Sequence, residues 1–243
     1  MDTQRINLWS GPRNVSTAFM YSFSQRRDCS VVDEPLYAHY LSRQDDRSRH
    51  PGEKDILQAQ EEDGSKVVDQ VIFGDYDTRL VLFKQMTHHL VDLSMDFLEK
   101  TDNILLIRDP RAIIASYHKV VSRPGMQDIG IEQQHELFEH LREIGTLKAV
   151  IDARELLLDP ESVLRHLCFR LAIPWDPGML QWPAGPKPED GVWAGHWYES
   201  VHRSTAFLPY EEKTYQLPAA LEKLARKCQP YYEELYFHAL KAS

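Results

Sequence analysis

The sequence predicts an α/β fold in which helices cover both faces of a central parallel sheet. Two observations carry this reading: short apolar runs rich in β-branched residues alternate with segments of helical periodicity, and several runs are apolar at consecutive positions. A strand covered on both faces shows that pattern because neither set of alternating side chains meets water.

Six runs read as strands: Ile6 to Trp9, Val31-Val32, Lys66 to Phe73, Arg79 to Phe83, Asn103 to Ile107 and Ala149 to Ile151. Ser16 to Arg26 reads as a helix, with Val15, Phe19, Ser22 and Phe23 near one face. Asp109-Pro110 sets a capping carboxylate before a proline suited to a first helical turn, and Ile113, Tyr117 and Val120 continue at i, i+4 and i+7. The polar stretch Gln44 to Gly64 reads as a surface loop or helix pair, with a mobile lid as the alternative. Proline-rich Pro174 to Pro188 reads as an irregular packing segment, because Trp175, Trp182, Trp193 and Trp197 supply apolar area in and beside it. Pro218 to Leu240 is patterned as helix, broken at Pro230.

At 243 residues with 42% hydrophobic and 27% charged side chains, residues 1–243 are expected to form one folded domain rather than a disordered chain. No run of about 18 apolar residues occurs, and Met1 to Asn7 is polar, so neither a membrane partner nor a leader is expected. Cys29, Cys168 and Cys228 lie far apart without a C-x-x-C, which fits a reducing, cytoplasmic setting. Lysine and arginine number 28 against 37 acidic residues, a net charge of −9 that argues against nucleic acid as a partner. An anionic ligand must then be held by a local cluster of donors.

Two such clusters stand at predicted strand ends. The first is Ser10-Gly11-Pro12-Arg13-Asn14-Val15-Ser16-Thr17, where a strand turns into a helix; free N–H groups at the helix start, hydroxyls and the Arg13 charge can together hold an anion. Plain helix capping by Ser10, Asn14 and Ser16 is the competing reading. The nucleotide pattern G-x-x-x-x-G-K-[ST] is missing, which disfavours an ATP or GTP hydrolase. The second cluster is Arg108-Asp109-Pro110-Arg111 with Ser116, at the carboxyl end of a parallel strand, where open α/β sheets bind ligands.

Pro12 to Thr17 together with Arg108 to Arg111 and Ser116 resembles the sulfotransferase family that uses 3′-phosphoadenosine-5′-phosphosulfate (PAPS), over roughly residues 5–120. Leu8 to Phe23 and Val32 to Tyr40 resemble the sulfotransferase-like domain fused to plant branched-chain aminotransferase-like proteins. The resemblance implies a P-loop-NTPase-like three-layer α/β/α fold with C-terminal helices. It implies that Arg13, Asn14, Val15, Ser16 and Thr17 hold the 5′-phosphosulfate and that Arg108 and Ser116 hold the 3′-phosphate. A forked guanidinium suits a terminal phosphate on physical grounds as well. Bacterial relatives often carry a glycine in the first turn; Asn14-Val15-Ser16 has none, which alters backbone approach to the donor.

Sulfuryl transfer needs in-line placement of the acceptor, cations on the transferring oxygens and a base for the acceptor proton. Lys84 to His89 resembles the family's Lys-Thr-His segment with two extra residues, which implies Lys84 at the leaving oxygen and His88 as base, with His89 as the alternative. Imidazole titrates near neutrality and suits the task, although both histidines could equally cap the helix that follows. Glu34 in Asp33-Glu34-Pro35 is the rival base, and a helix-start carboxylate is its plainer role. Gly191 to Trp197 resembles the family's late donor loop, without its Arg-Lys-Gly start. His135 and His140 are five apart, about 140° around a helix, so a zinc site of the H-E-x-x-H kind is not expected and both read as solvated.

The leading function is therefore sulfuryl transfer from PAPS to a hydroxyl or amine of a small-molecule acceptor, with no metal required. A small-molecule kinase on the same core and a non-catalytic nucleotide-binding domain are the rivals.

Overall fold

A computed structural model of the protein describes residues 3–44, 50–119 and 124–242. In chain order the elements are β1 (Gln4–Ser10), α1 (Ser16–Ser24), β2 (Cys29–Asp33), α2 (Tyr37–Ser42), α3 (Glu53–Ala59), α4 (Gly64–Val67), β3 (Leu80–Met86) and β4 (Asp102–Ile107). They continue with α5 (Pro110–Tyr117), α6 (Met126–Ile129), α7 (Ile131–Glu143), β5 (Leu147–Asp152), α8 (Ala153–Leu158) and α9 (Pro160–Arg170). The last are α10 (Ala194–Trp197), α11 (Glu199–His202), α12 (Ala219–Phe237) and β6 (Ala239–Leu240).

The strands form one sheet in the order β2-β3-β1-β4-β5-β6, and every pair is parallel. Alternate residues of each central strand enter opposite cores. Ile6, Leu8, Leu80, Leu82, Ile104 and Leu106 pack with Phe19 and Phe23 of α1 and Leu164 and Leu167 of α9. Trp9, Val81, Phe83, Leu105 and Ile107 pack with Ile113 of α5, Phe138 of α7 and Leu221 of α12. This is why the strand runs are apolar at consecutive positions.

After β1 the chain crosses to one side of the sheet for β2 and β3, then to the other for β4 and β5. The carboxyl ends of β1, β3 and β4 therefore flank a topological switch point, where helices diverge and leave a crevice. Lys84 and Met86 sit level with Leu8 and Ser10 in the β1–β3 register, which brings the two sequence-distant segments to one place.

Three local expectations need correction. Lys66 to Phe73 is helical: α4 passes into a π-helical stretch over Val68–Ile72. The Asp63 carboxylate accepts from the N–H groups of Ser65 and Lys66, and Val67 and Ile72 are buried on one helix face. Apolar residues at 67, 68, 71 and 72 fit a helical stripe as well as a strand, and the cap decides between them. The sixth strand is instead β6, two residues long and paired with β5.

The C-terminal helix runs through Pro230 unbroken. Losing one backbone hydrogen bond is outweighed by the burial of Leu221, Ala225, Cys228 and Leu235 on either side of it. The polar stretch after Gln44 holds α3, whose Ile56 is fully buried against the α2 side; residues 45–49 and Val120 lie outside the described residues. His135 and His140 are half-buried rather than solvated: His135 Nε2 is 2.8 Å from Glu234 Oε2, and His140 lines the crevice described next. Among the described residues no helix is long and apolar enough to cross a membrane.

Candidate active site

A cleft of about 1740 Å³ opens at the switch point. Its floor is the β1–α1 turn from Gly11 to Ala18, and its walls come from the ends of β3 and β4, from α5 and from the segment 193–201. A Cβ at Gly11 would stand 3.1 Å from the Ile129 carbonyl, so glycine lets the turn pass close under α6.

The turn is held open rather than capped. Asn14 Nδ2 donates to the Leu106 carbonyl at 2.8 Å, while its Oδ1 accepts from the Val15 N–H. Val15 takes the N-cap position with no side-chain capping bond, which removes the capping role from Ser10, Asn14 and Ser16. The first-turn N–H groups of α1 consequently have no acceptor within the helix. Ser16 and Thr17 hydroxyls find no hydrogen-bond partner among the described residues and lie on the cleft lining.

Arg13 has a left-handed backbone, φ 55°, and the Arg108 guanidinium fixes it by donating from Nη1 to the Arg13 carbonyl at 2.7 Å. Arg13 Nε in turn donates to Ser116 Oγ at 3.0 Å. Arg13 and Arg108, just past the ends of β1 and β4, thus converge with Ser116 of α5. Both arginines line the cleft.

Lys84 projects from β3 into a buried polar knot. Its Nζ donates to Asp33 Oδ1 at 2.8 Å, to Glu34 Oε1 at 2.5 Å and to the Tyr198 hydroxyl at 2.7 Å, which uses all three ammonium protons. Tyr198 donates to Asp33 Oδ2 at 2.7 Å and accepts from the Trp193 indole N–H at 3.0 Å. The two carboxylates hold the Lys84 ammonium charged, well above its usual range, against the burial that opposes it.

Tyr198 was not legible as a site residue in the sequence, because nothing local marks it. The Gly191 to Trp197 segment is anchored to this knot: the Gly191 N–H donates to Asp33 Oδ2 at 3.1 Å, and the Trp193 ring lies where a Gly191 side chain would be.

His88 and His89 follow in a short 3₁₀ turn, Thr87–His89. His89 is buried and stacked between Tyr37 and Tyr40, with ring centroids 4.8 Å from each. His88 is half-buried on the cleft wall, edge-on to Tyr40 and His89, and its ring nitrogens make no hydrogen bond among the described residues. Burial, with His50 nearby, pushes the His88 imidazole down to about 4, so it is neutral at pH 7.

A sulfotransferase-domain model matches residues 4–239 of the sequence. The chain belongs to the sulfotransferase-domain family. Branched-chain-amino-acid aminotransferase-like protein 1 of Arabidopsis thaliana is 40% identical over 240 residues, which cover 98% of this chain and 42% of the plant protein. The corresponding protein 2 of the same plant is 39% identical over 235 residues, 96% of this chain and 41% of the relative. The chain thus spans well under half the length of these curated relatives.

Among solved structures, the sulfotransferase domain from the curacin biosynthetic pathway superposes with a TM-score of 0.59 at 17% identity, over 94% of this chain and 98% of that one. The sulfotransferase domain of the Synechococcus PCC 7002 olefin synthase gives 0.55 at 16% identity, over 93% and 95%. At these identities the likeness is one of fold: the P-loop-NTPase-like α/β fold that the sequence predicted.

Proposed function

We propose that residues 1–243 form a single sulfotransferase-like domain that moves a sulfuryl group from PAPS to a hydroxyl or amine of a small acceptor. The convergence of Arg13, Arg108 and Ser116 at the switch point, in a member of the sulfotransferase-domain family, carries this reading. Two guanidiniums, two unpartnered hydroxyls and a row of free N–H groups match the anionic groups of a donor phosphorylated at both 3′ and 5′ positions.

In this reading Asn14, Val15, Ser16 and Thr17 present backbone and hydroxyl donors to the 5′ end, while Arg108 and Ser116 take the 3′-phosphate. The sulfur–oxygen bond to the donor breaks with its electron pair left on the departing 3′-phosphoadenosine-5′-phosphate (PAP). The acceptor oxygen or nitrogen forms the new bond to sulfur, and His88 takes the acceptor proton. Lys84 stabilises charge on the leaving oxygen, and Glu34 is the rival proton acceptor. No metal is needed for these roles.

One observation supports a non-catalytic binding domain as the second reading: Lys84 is fully engaged by Asp33, Glu34 and Tyr198. Following PAP release from PAPS over a panel of phenols, alcohols and amines decides between them. Acceptor-dependent PAP release is expected, and magnesium-dependent ATP turnover is not. Donor that binds but is never consumed across the panel would favour the binding domain.

A further inference from the structure

We propose that Lys84 Nζ is a docking point for an oxygen of the transferring group, and that the Glu34 carboxylate occupies that point as a displaceable stand-in until the donor arrives. The inference rests on the sulfuryl-donor reading and adds to it a role for Glu34 other than that of a base.

The three acceptors around Lys84 are not equivalent. Asp33 is fixed by two further bonds, from the Tyr198 hydroxyl and the Gly191 N–H, and Tyr198 is fixed by Asp33 and by the Trp193 indole. They form a rigid frame that aims the ammonium. Glu34 is as buried as these two and, like Tyr198, lies on the cleft lining, but it differs in its bonding: among the described residues its carboxylate has Lys84 as its sole partner.

The Glu34 backbone is nevertheless held on three sides. Its N–H donates to the Lys84 carbonyl at 2.8 Å, and its carbonyl accepts from the Tyr37 N–H at 3.0 Å and from Gln60 Nε2 at 3.1 Å. These bonds maintain a left-handed φ of 40°, a conformation disfavoured for a residue with a side chain. A fixed backbone with a singly attached carboxylate allows the side chain to turn away while the frame stays in place.

Charge favours the exchange. One ammonium faced by two carboxylates leaves the knot negative, which opposes an incoming anion for as long as Glu34 stays. The groups facing Glu34 are Asp33 from β2, Lys84 from β3, Tyr37 from α2 and Tyr198 beyond α10. Burial, against the pull of Lys84, and the adjacent Asp33 raise the Glu34 carboxyl above the usual carboxylate range, so neutralising it costs less than for an exposed glutamate.

Calorimetric titration of the wild type and Glu34→Gln with PAPS and with PAP tests the proposal. Removing the stand-in's charge is expected to tighten PAPS binding by about tenfold, on the scale of one charge-assisted bond no longer contested. PAP lacks the sulfuryl oxygens and is expected to gain at most about threefold from the long-range charge alone. PAPS affinity that is unchanged or weaker in the variant, with PAP binding retained, overturns the proposal. A wild type that does not bind PAP would instead overturn the donor reading itself. Glu34→Gly suits the positive φ and repeats the test under the same criteria if the glutamine variant does not fold.

Discussion

Arg108→Ala is expected to weaken PAP binding by about 100-fold or more in calorimetric titration, with the fold intact. Two losses combine. The forked guanidinium gives up charge-assisted bonds to the 3′-phosphate, worth about 1.5–3 kcal/mol each. The bond from Nη1 that holds the Arg13 carbonyl also disappears, so the left-handed Arg13 backbone relaxes and the floor of the site loses its shape. Arg13→Ala is expected to cost a comparable factor, and the double variant less than the product of the two, because Arg13 and Arg108 share one hydrogen-bonded unit. Near-normal PAP affinity in both single variants would remove the basis for the donor site.

Lys84→Ala is expected to lower sulfuryl transfer by about 10²–10³-fold, the usual scale for losing one preorganised donor to a developing charge. It should also destabilise the protein by about 3–5 kcal/mol in urea unfolding, because Asp33 and Glu34 would be left buried without a counter-ion. The two readouts separate the roles. A purely structural lysine would show the stability loss while turnover, measured on the folded fraction, stayed near that of the wild type.

The layers and the sheet edge that bears the cleft were legible because they follow from local patterns. Consecutive apolar residues in the run from Ile104 to Ile107 report burial on two faces, with Ile104 and Leu106 in one core and Leu105 and Ile107 in the other. Asp109-Pro110 announced a helix start, and Asp109 does accept from the Arg111 N–H at 2.8 Å. Arg108 at a strand end pointed to the switch point.

What stayed hidden depends on tertiary contacts. The stretch 66–73 satisfies two periods at once, and its helix is decided by a cap three residues upstream, at Asp63. Pro230 is accommodated because the helix around it is packed, which no local rule reports. The Lys84 knot joins residues from β2, β3 and the segment beyond α10, so Tyr198 has no signal in its own neighbourhood. The adjacent histidines, alike in sequence, are separated only by packing: His89 is sandwiched between rings and His88 stands at the cleft wall.

The central claim is that the cleft reads a donor carrying a 3′-phosphate. Titrating the wild-type protein with PAP, 5′-AMP and ATP tests it most directly. The account predicts micromolar binding of PAP, with 5′-AMP and ATP weaker by about 100-fold, the value of two charge-assisted bonds to the extra phosphate. Equal affinity for PAP and 5′-AMP would contradict it, because Arg108 and Ser116 would then have no 3′-phosphate to hold.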